Sequence, residues 1–274
     1  MARHFPPLSR MDEKLDRRFR RWLSRLDHER AAKIYSAYTH LHPARRALSL
    51  TPAGEVVVAE TDGERLVFPS PMPMKNWHHC ANGYANWLPR KYTLPDFVEV
   101  APGDVVVDCG AFVGGFSLGA ARTAARIFAF EPAPANHACL LANVAGHAQV
   151  TPVQAGLFDR TGRVELNLSA SVVDHSLLTP DRGGLGTCVT VQVYRLDDFL
   201  DSVGLKTVDF LKVEAEGVEP EVLAGLGTRV ARKIAADCSA ERNGVSPRPE
   251  IEPRLRALGY EIRSRGSMLF ARLA

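Results

Sequence analysis

The sequence predicts an α/β protein: an open, mostly parallel sheet with helices on both faces, preceded by a helical and β-hairpin appendage. Three observations carry this expectation. From Gly103 onward, short apolar β-rich runs alternate with helical stretches, the pattern of parallel strands joined by crossover helices. The stretch VVVDCGAFVGGFS, residues 105–117, reads as a strand, a glycine turn and a helix start, the place where an α/β sheet receives a nucleotide-like ligand. The chain then closes with two β runs, 260–263 and 268–273, around Arg265-Gly266-Ser267. A tight hairpin of this kind sets the last strand antiparallel to the rest.

Residues 1–50 form a basic helical segment, with twelve Lys/Arg against five Asp/Glu, whereas the remainder carries 22 against 26. Ser9 with Asp12 and Glu13 looks like a helix start with an acidic first turn. Leu15, Phe19, Trp22, Leu23 and Leu26 follow at three- and four-residue spacing, interleaved with Arg17, Arg18, Arg20, Arg21 and Arg25. This is a basic amphipathic helix, and Ile34, Tyr35 and Tyr38 continue it or form a second one before Pro43. Such a helix packs on the main domain or on a second copy as a homodimer; the alternatives are a membrane surface or nucleic acid.

Residues 51–95 are read as a β-hairpin and a covering segment. Asp62-Gly63 joins two β-rich runs within 55–68 and is a preferred dipeptide for a tight turn. Residues 69–95, rich in Pro and aromatics, show little periodicity and suit either a cover over a site or a plain linker.

Residues 96–274 make the α/β domain. The expected strands are 105–107, 126–130, 150–157, 208–213 and 233–237, with helices at 116–126, 135–145 and from 220 to 226. Two further β segments, 164–168 and 188–194, flank a glycine-rich loop and read as an insertion.

Bulk features narrow the class. Apolar residues make up 46% and charged residues 24% of the chain, ordinary for a globular protein. No apolar run approaches 18 residues and MARHFPPLSR lacks the apolar core of a signal peptide. Cys80, Cys109, Cys139, Cys188 and Cys238 stand far apart with no CxxC, which points to free thiols in a reducing cytoplasm. His78-His79-Cys80 lacks a second ligand pair at metal-site spacing.

The glycine turn discriminates between cofactors. A dinucleotide favours G-x-G-x-x-G so that its pyrophosphate can approach the backbone. Here Gly110, Gly114 and Gly115 are spaced differently, Ala111 and Phe112 occupy the second-glycine region, and Asp108 precedes the turn. A carboxylate repels a pyrophosphate and attracts an amino group. Glu131, ending the second strand in FAFEP, stands where a carboxylate takes both hydroxyls of a ribose. A ribose, an ammonium and no phosphate describe S-adenosylmethionine. The residues expected to line it are Asp108, Gly110, Ala111, Gly114, Phe116 and Ser117 in the first loop. Glu131 and Pro132 follow the second strand, and Asp159 after the third either meets the adenine or is a turn residue before Thr161-Gly162.

With these motifs in view, VVVDCGAFVGGFS, FAFEPAPANHACLLANV, YRLDDFL and DFLKVEAEGVEPEVLAG resemble the FkbM family of S-adenosylmethionine-dependent methyltransferases, from about Gly83 to the C-terminus. The resemblance implies a Rossmann-like class I methyltransferase fold and O-methylation of a hydroxyl on a sugar, polyketide or similar metabolite. By it, Asp108, Gly110 and Gly114 fall on the methionine-facing loop and Glu131 on the ribose-binding acid. Asn136 and Asn143 fall on the following helix, and Lys212, Glu214, Glu216 and Gly217 on the KIDVEG segment. Glu214 stands where the family usually has Asp, and Ala215 replaces a β-branched residue.

Phe210, Lys212 and Glu214 share one face of the fourth strand by its two-residue period. Charges there are costly unless paired or at a site. Glu214 is therefore the first candidate for base or substrate anchor, with Lys212 beside it; alternatively Glu214 and Glu216 cap the next helix. His175 in the inserted loop is the other candidate base, and Glu241-Arg242 sits on the same rim. Besides small-molecule or glycan O-methylation, an RNA- or protein-directed methyltransferase holding its substrate on the basic helix, and a non-catalytic protein of this fold, stay open. Base N-methylation is disfavoured because EAEG stands where N/D-P-P-Y/F would.

Overall fold

The computed structural model describes residues 10–42, 45–178, 183–227 and 229–273. The chain divides into two compact units, Met1–Trp87 and Leu88–Ala274. The helical segment and the hairpin, which the sequence separated at residue 50, belong to the first of them. Ser9, read as the helix start, lies outside the described residues.

In the first unit, α1 spans Arg10–Leu23 and α2 His28–Leu41, so the run through Tyr38 is a second helix. Asp27 starts it by accepting the Arg30 N–H at 2.9 Å, an N-cap that stops α1 from continuing. Strands β1 (Ser49–Ala53), β2 (Val56–Thr61) and β3 (Glu64–Pro69) form an antiparallel sheet in that order, with the hairpin turn at Asp62-Gly63. The segment 69–95, expected to be irregular, holds helices α3 (Met74–Ala81) and α4 (Tyr84–Lys91). A short apolar face explains α3: Trp77, Cys80 and Ala81 are all buried, an i, i+3, i+4 set that surrounding His and Pro conceal. His78 of the HHC run makes an ion pair with buried Asp16 at 3.1 Å, as does Arg45 at 3.2 Å, and His79 stacks on Trp87.

The second unit follows the expected alternation. Its elements are β4 (Val105–Cys109), α5 (Gly115–Ala120), β5 (Arg126–Phe130), α6 (Pro134–Val144), β6 (Val150–Val153), β7 (Gly156–Leu157), β8 (Gly162–Ser169) and β9 (Gly184–Tyr194). After them come α7 (Leu196–Ser202), β10 (Thr207–Val213), α8 (Glu219–Ala224), β11 (Val230–Asp237), α9 (Arg248–Ala257), β12 (Tyr260–Arg265) and β13 (Met268–Leu273). The main sheet has the order β12-β13-β11-β10-β4-β5-β6. Only β13 is antiparallel to its neighbours, as the closing hairpin requires.

Several departures from the expectation have a physical cause. The run 150–157 is two strands, because Ala155 turns back to the Val153 carbonyl and β7 leaves to pair with β9 in a separate sheet, β7-β9-β8. Pro152 suits β6, an edge strand that can spare one N–H. Helix α5 ends at Ala120, where i→i+3 bonds from Arg122 and Thr123 tighten the chain into turns. Helix α9 went unread because of Pro249 and Pro253; buried Ile251 and Leu255, four residues apart, hold it to the core.

The sheet is apolar on both faces. Phe116 and Phe210 stack on one, and Phe128 and Phe130 meet Phe199 edge-on across the other. β5 and β6 lie on one side of β4, with β10 and β11 on the other. The order therefore reverses beside β4, the point at which open α/β sheets take ligands at the carboxyl ends of their strands. Among the described residues no helix is long and apolar enough to cross a membrane.

Gly110, at the end of β4, has φ +76°, and a Cβ there would stand 1.9 Å from the Glu214 carbonyl oxygen. Gly110→Ala is expected to cost about 2–4 kcal/mol of stability in urea unfolding. Gly146→Ala, where an added methyl meets nothing within 4 Å, should stay within about 0.5 kcal/mol of the parent.

Candidate active site

The parallel register sets Lys212 of β10 directly beside Asp108 of β4. Both are buried, and the Lys212 Nζ lies 3.0 Å from Asp108 Oδ1. The same ammonium donates to the carbonyls of Gly110 at 2.5 Å and Cys109 at 3.1 Å. The Ser117 hydroxyl donates to Asp108 Oδ2 at 2.7 Å. Burial opposes the ammonium, but Asp108 and Glu214 outweigh it and hold the Lys212 pKa above its usual value. The cation that Asp108 demanded is thus Lys212, supplied by the protein. Asp108, Ser117 and Phe116 support the glycine turn from below; Phe116 packs between Tyr92 and Phe210.

Glu214, just past β10, donates its N–H to the Cys109 carbonyl at 3.1 Å. Its carboxylate receives the Lys91 ammonium on Oε1 and the Tyr92 hydroxyl on Oε2. Lys91 also pairs with Asp237 of β11 at 2.8 Å. Burial alone would raise the Glu214 carboxyl; the Lys91 and Lys212 charges and the hydrogen bonds overcome it and hold it at about 2. Asp237 is likewise held low, burial being outweighed by Lys91 and Ser239. Glu214 is an ionised clamp and a feeble proton acceptor. Lys91 and Tyr92 were invisible to motif reading, since more than a hundred residues separate them from Glu214.

Glu131 ends β5, and its two oxygens accept the N–H groups of Phe112 and Ala133, both at 2.9 Å. The Asn136 amide lies 3.4 Å from Oε1. Burial pushes this carboxyl up to about 7 against those donors. Phe112, at φ 52°, is the turn residue that presents its N–H to Glu131. Asn143 of α6 holds the same loop through the Val113 carbonyl at 2.9 Å. Gly110, Ala111 and Gly114 shape the turn: the first two donate to the Phe130 carbonyl, and Gly114 precedes α5. Pro132 follows Glu131 and leads into α6.

The EAEG turn is built differently from either reading made for it. Glu216 has φ 49° and Gly217 φ 97°. The N-cap of α8 is Val218, without a side-chain cap bond, and the acid that ties the turn is Glu219: its Oε1 accepts from Ala215 at 2.9 Å and from Gly217 at 3.3 Å. Burial pushes Glu219 up to about 7. The acid beside Pro220 was a first-turn signal available in the sequence. The Glu216 carbonyl accepts the Ser176 hydroxyl at 2.7 Å, and Asn136 reaches the Val172 carbonyl at 2.9 Å. The insertion therefore lies along the rim. His175 uses Nδ1 to accept the Ser169 N–H at 3.0 Å. Its neutral form, favoured because burial lowers its pKa, then carries the proton on Nε2 and offers a donor rather than a base. Asp159 stands beside Arg160 at 3.3 Å, with Arg195 on its carbonyl at 3.2 Å. Among the described residues its bonds lead to neither Glu131 nor the glycine turn.

The sequence that builds this site matches a known family. Residues 108–262 match the profile of the Methyltransferase FkbM domain, over half the chain. The chain belongs to the FkbM methyltransferase family. Methyltransferase sdnD of Sordaria araneosa is 30% identical over 203 residues, 61% of this chain and 77% of that protein. The 31-O-demethyl-FK506 methyltransferase FkbM of Streptomyces tacrolimicus is 27% identical over 229 residues, 70% and 88% of the two chains. The crystal structure of Methyltransferase FkbM from Methylobacillus flagellatus aligns with a TM-score of 0.46 at 19% identity, over 66% of this chain and 46% of that one. The Rossmann-like class I fold rests on the sheet order and the family match. In this methyltransferase Lys212 and Glu214 lie within the matched region and are held as above.

Because Glu214 is held below its ordinary 4.5, it contributes stability above pH 4.5 that is lost as pH falls through about 2. Glu214→Gln should cost about 1–3 kcal/mol at pH 7. The gap to the parent should close between pH 4.5 and 2, read by urea unfolding across a pH series.

Proposed function

We propose that this methyltransferase uses S-adenosylmethionine to methylate a hydroxyl of a small molecule or glycan. The observation that carries the cofactor assignment is Glu131, a buried carboxylate at the end of β5 tied to the glycine turn through the Phe112 N–H. A carboxylate offers about four lone-pair directions. The recorded donors Phe112, Ala133 and the distant Asn136 leave acceptor capacity for a ribose hydroxyl. The buried Asn136 Oδ1 has no hydrogen-bond partner among the described residues and adds an acceptor next to it. The donor set fits the group, and the neutralised Asp108–Lys212 pair keeps the turn above it free of a large net charge.

S-adenosylmethionine, when bound, supplies a methyl group already activated on a sulfonium. The protein has to orient the acceptor oxygen, exclude water and take one proton. Orientation supplies about 7–11 kcal/mol in well-aligned cases. Glu131 and the turn fix the donor side. The Lys91–Glu214–Tyr92 clamp and the EAEG turn form the floor on the acceptor side, with the insertion above. Oxygen as the acceptor is supported by the Streptomyces relative, named for an O-demethyl substrate, and by EAEG in place of a base-methylating motif.

Calorimetry tests this. Glu131→Gln should weaken S-adenosylmethionine binding about 10–100-fold, the value of one or two charge-assisted hydrogen bonds, without changing the circular dichroism. With the carboxyl at about 7, affinity of the parent should rise from pH 6 to 8 as it ionises and frees both oxygens, and the variant should lose that slope. Undiminished binding by Glu131→Gln would contradict the assignment.

A further inference from the structure

Four carboxyls gather at the carboxyl ends of β10 and β11: Glu214, Asp237, Glu219 and Glu241. Three of them have work within the protein. Glu214 is held by Lys91 and Tyr92, Asp237 by Lys91 and by Ser239 at 2.7 Å. Glu219 ties the EAEG turn and is 1% exposed. The half-buried carboxyl of Glu241 has no hydrogen bond or ion pair among the described residues. Its backbone, by contrast, is pinned. A Cβ on Gly217 would stand 2.5 Å from the Glu241 carbonyl oxygen, so the EAEG turn lies directly against it. The next residue, Arg242, binds the Gly217 carbonyl at 2.8 Å and the Glu221 carboxylate at 2.8 and 2.9 Å. The result is an unpaired acid on a rigid mount beside the turn that floors the acceptor side.

We infer that Glu241 is the general base that accepts the proton of the substrate hydroxyl, an assignment that rests on the methyltransferase reading proposed above. As the hydroxyl oxygen bonds to the methyl carbon, the carbon–sulfur bond breaks and its electron pair stays on sulfur as an uncharged thioether. The O–H proton passes to the Glu241 carboxylate and from there to water. The other candidates are unsuited: Glu214 is too weak a base, His175 has its acceptor nitrogen occupied, and Glu219 is sealed from a substrate. The surroundings tune Glu241 for the task. Burial pushes its carboxyl up to about 7, aided by Glu219 on α8, Asp237 on β11 and Glu214 after β10, and opposed by Lys91 at the end of α4. A base whose pKa matches the working pH is the effective one.

The test compares the full chain with Glu241→Gln and Glu241→Asp, folding being checked by circular dichroism. Methyl-labelled S-adenosylmethionine is the donor and fractionated cell extract the acceptor source. Glu241→Gln should label product about 10²–10⁴-fold more slowly, with a calorimetric Kd for S-adenosylmethionine within twofold of the parent. Glu241→Asp should recover part of the rate. Independently of turnover, the ¹³C resonance of the Glu241 side-chain carboxyl should titrate near pH 7 in the parent. Labelling by Glu241→Gln at the parent's rate, or a carboxyl midpoint below pH 5, overturns the assignment while leaving the methyltransferase reading intact. A parent that binds no S-adenosylmethionine, or labels no fraction, overturns that reading and this inference with it.

Discussion

The site depends on the ion pair between Lys212 and Asp108. Removing two charges from water is expensive, and a buried pair repays it only with good geometry and further hydrogen bonds. Here those bonds exist: Lys212 also serves the carbonyls of Cys109 and Gly110, and Asp108 takes the Ser117 hydroxyl. The pair therefore does more than join β4 to β10. It turns the last carbonyls of β4 inward and lets the chain reverse at Gly110. From there the Phe112 N–H meets Glu131. Glycine turn, Glu131 and EAEG segment are all registered to this one contact.

Around it, environment sorts chemically identical groups into different roles. Glu214 and Asp237 share the Lys91 ammonium and stay ionised far into acid. For Glu131, Glu219 and Glu241 burial outweighs the neighbouring donors and cations and lifts the carboxyls to about 7. Carboxyls whose environments drive their pKa values apart are suited to separate tasks. Glu214 fits this division, its carboxylate being engaged by both Lys91 and Tyr92.

Much of the fold was legible because it follows from local period. Strand 126–130 and the closing hairpin coincide with β5 and with β12–β13. Misreadings occurred where proline masked the period, as in α3 and α9, or where a strand changed partners, as between β6 and β7. The site was legible only in part. Asp108, Glu131, Lys212 and Glu214 lie in contiguous motifs, whereas Lys91 and Tyr92 carry no motif, and His175 was judged without knowing which nitrogen its neighbour would occupy.

By itself, the sequence determined the alternation of strands and helices, the glycine turn, the acid that ends β5 and the family. These are set by residues within a few positions of one another, through periodicity and backbone freedom. Only the tertiary structure decided what each charge is for. Whether Asp108 greets a ligand or Lys212, and whether Glu214 or Glu241 can take a proton, depends on neighbours within about 4 Å. Those neighbours come from strand register and from segments more than a hundred residues away, and no local pattern records them.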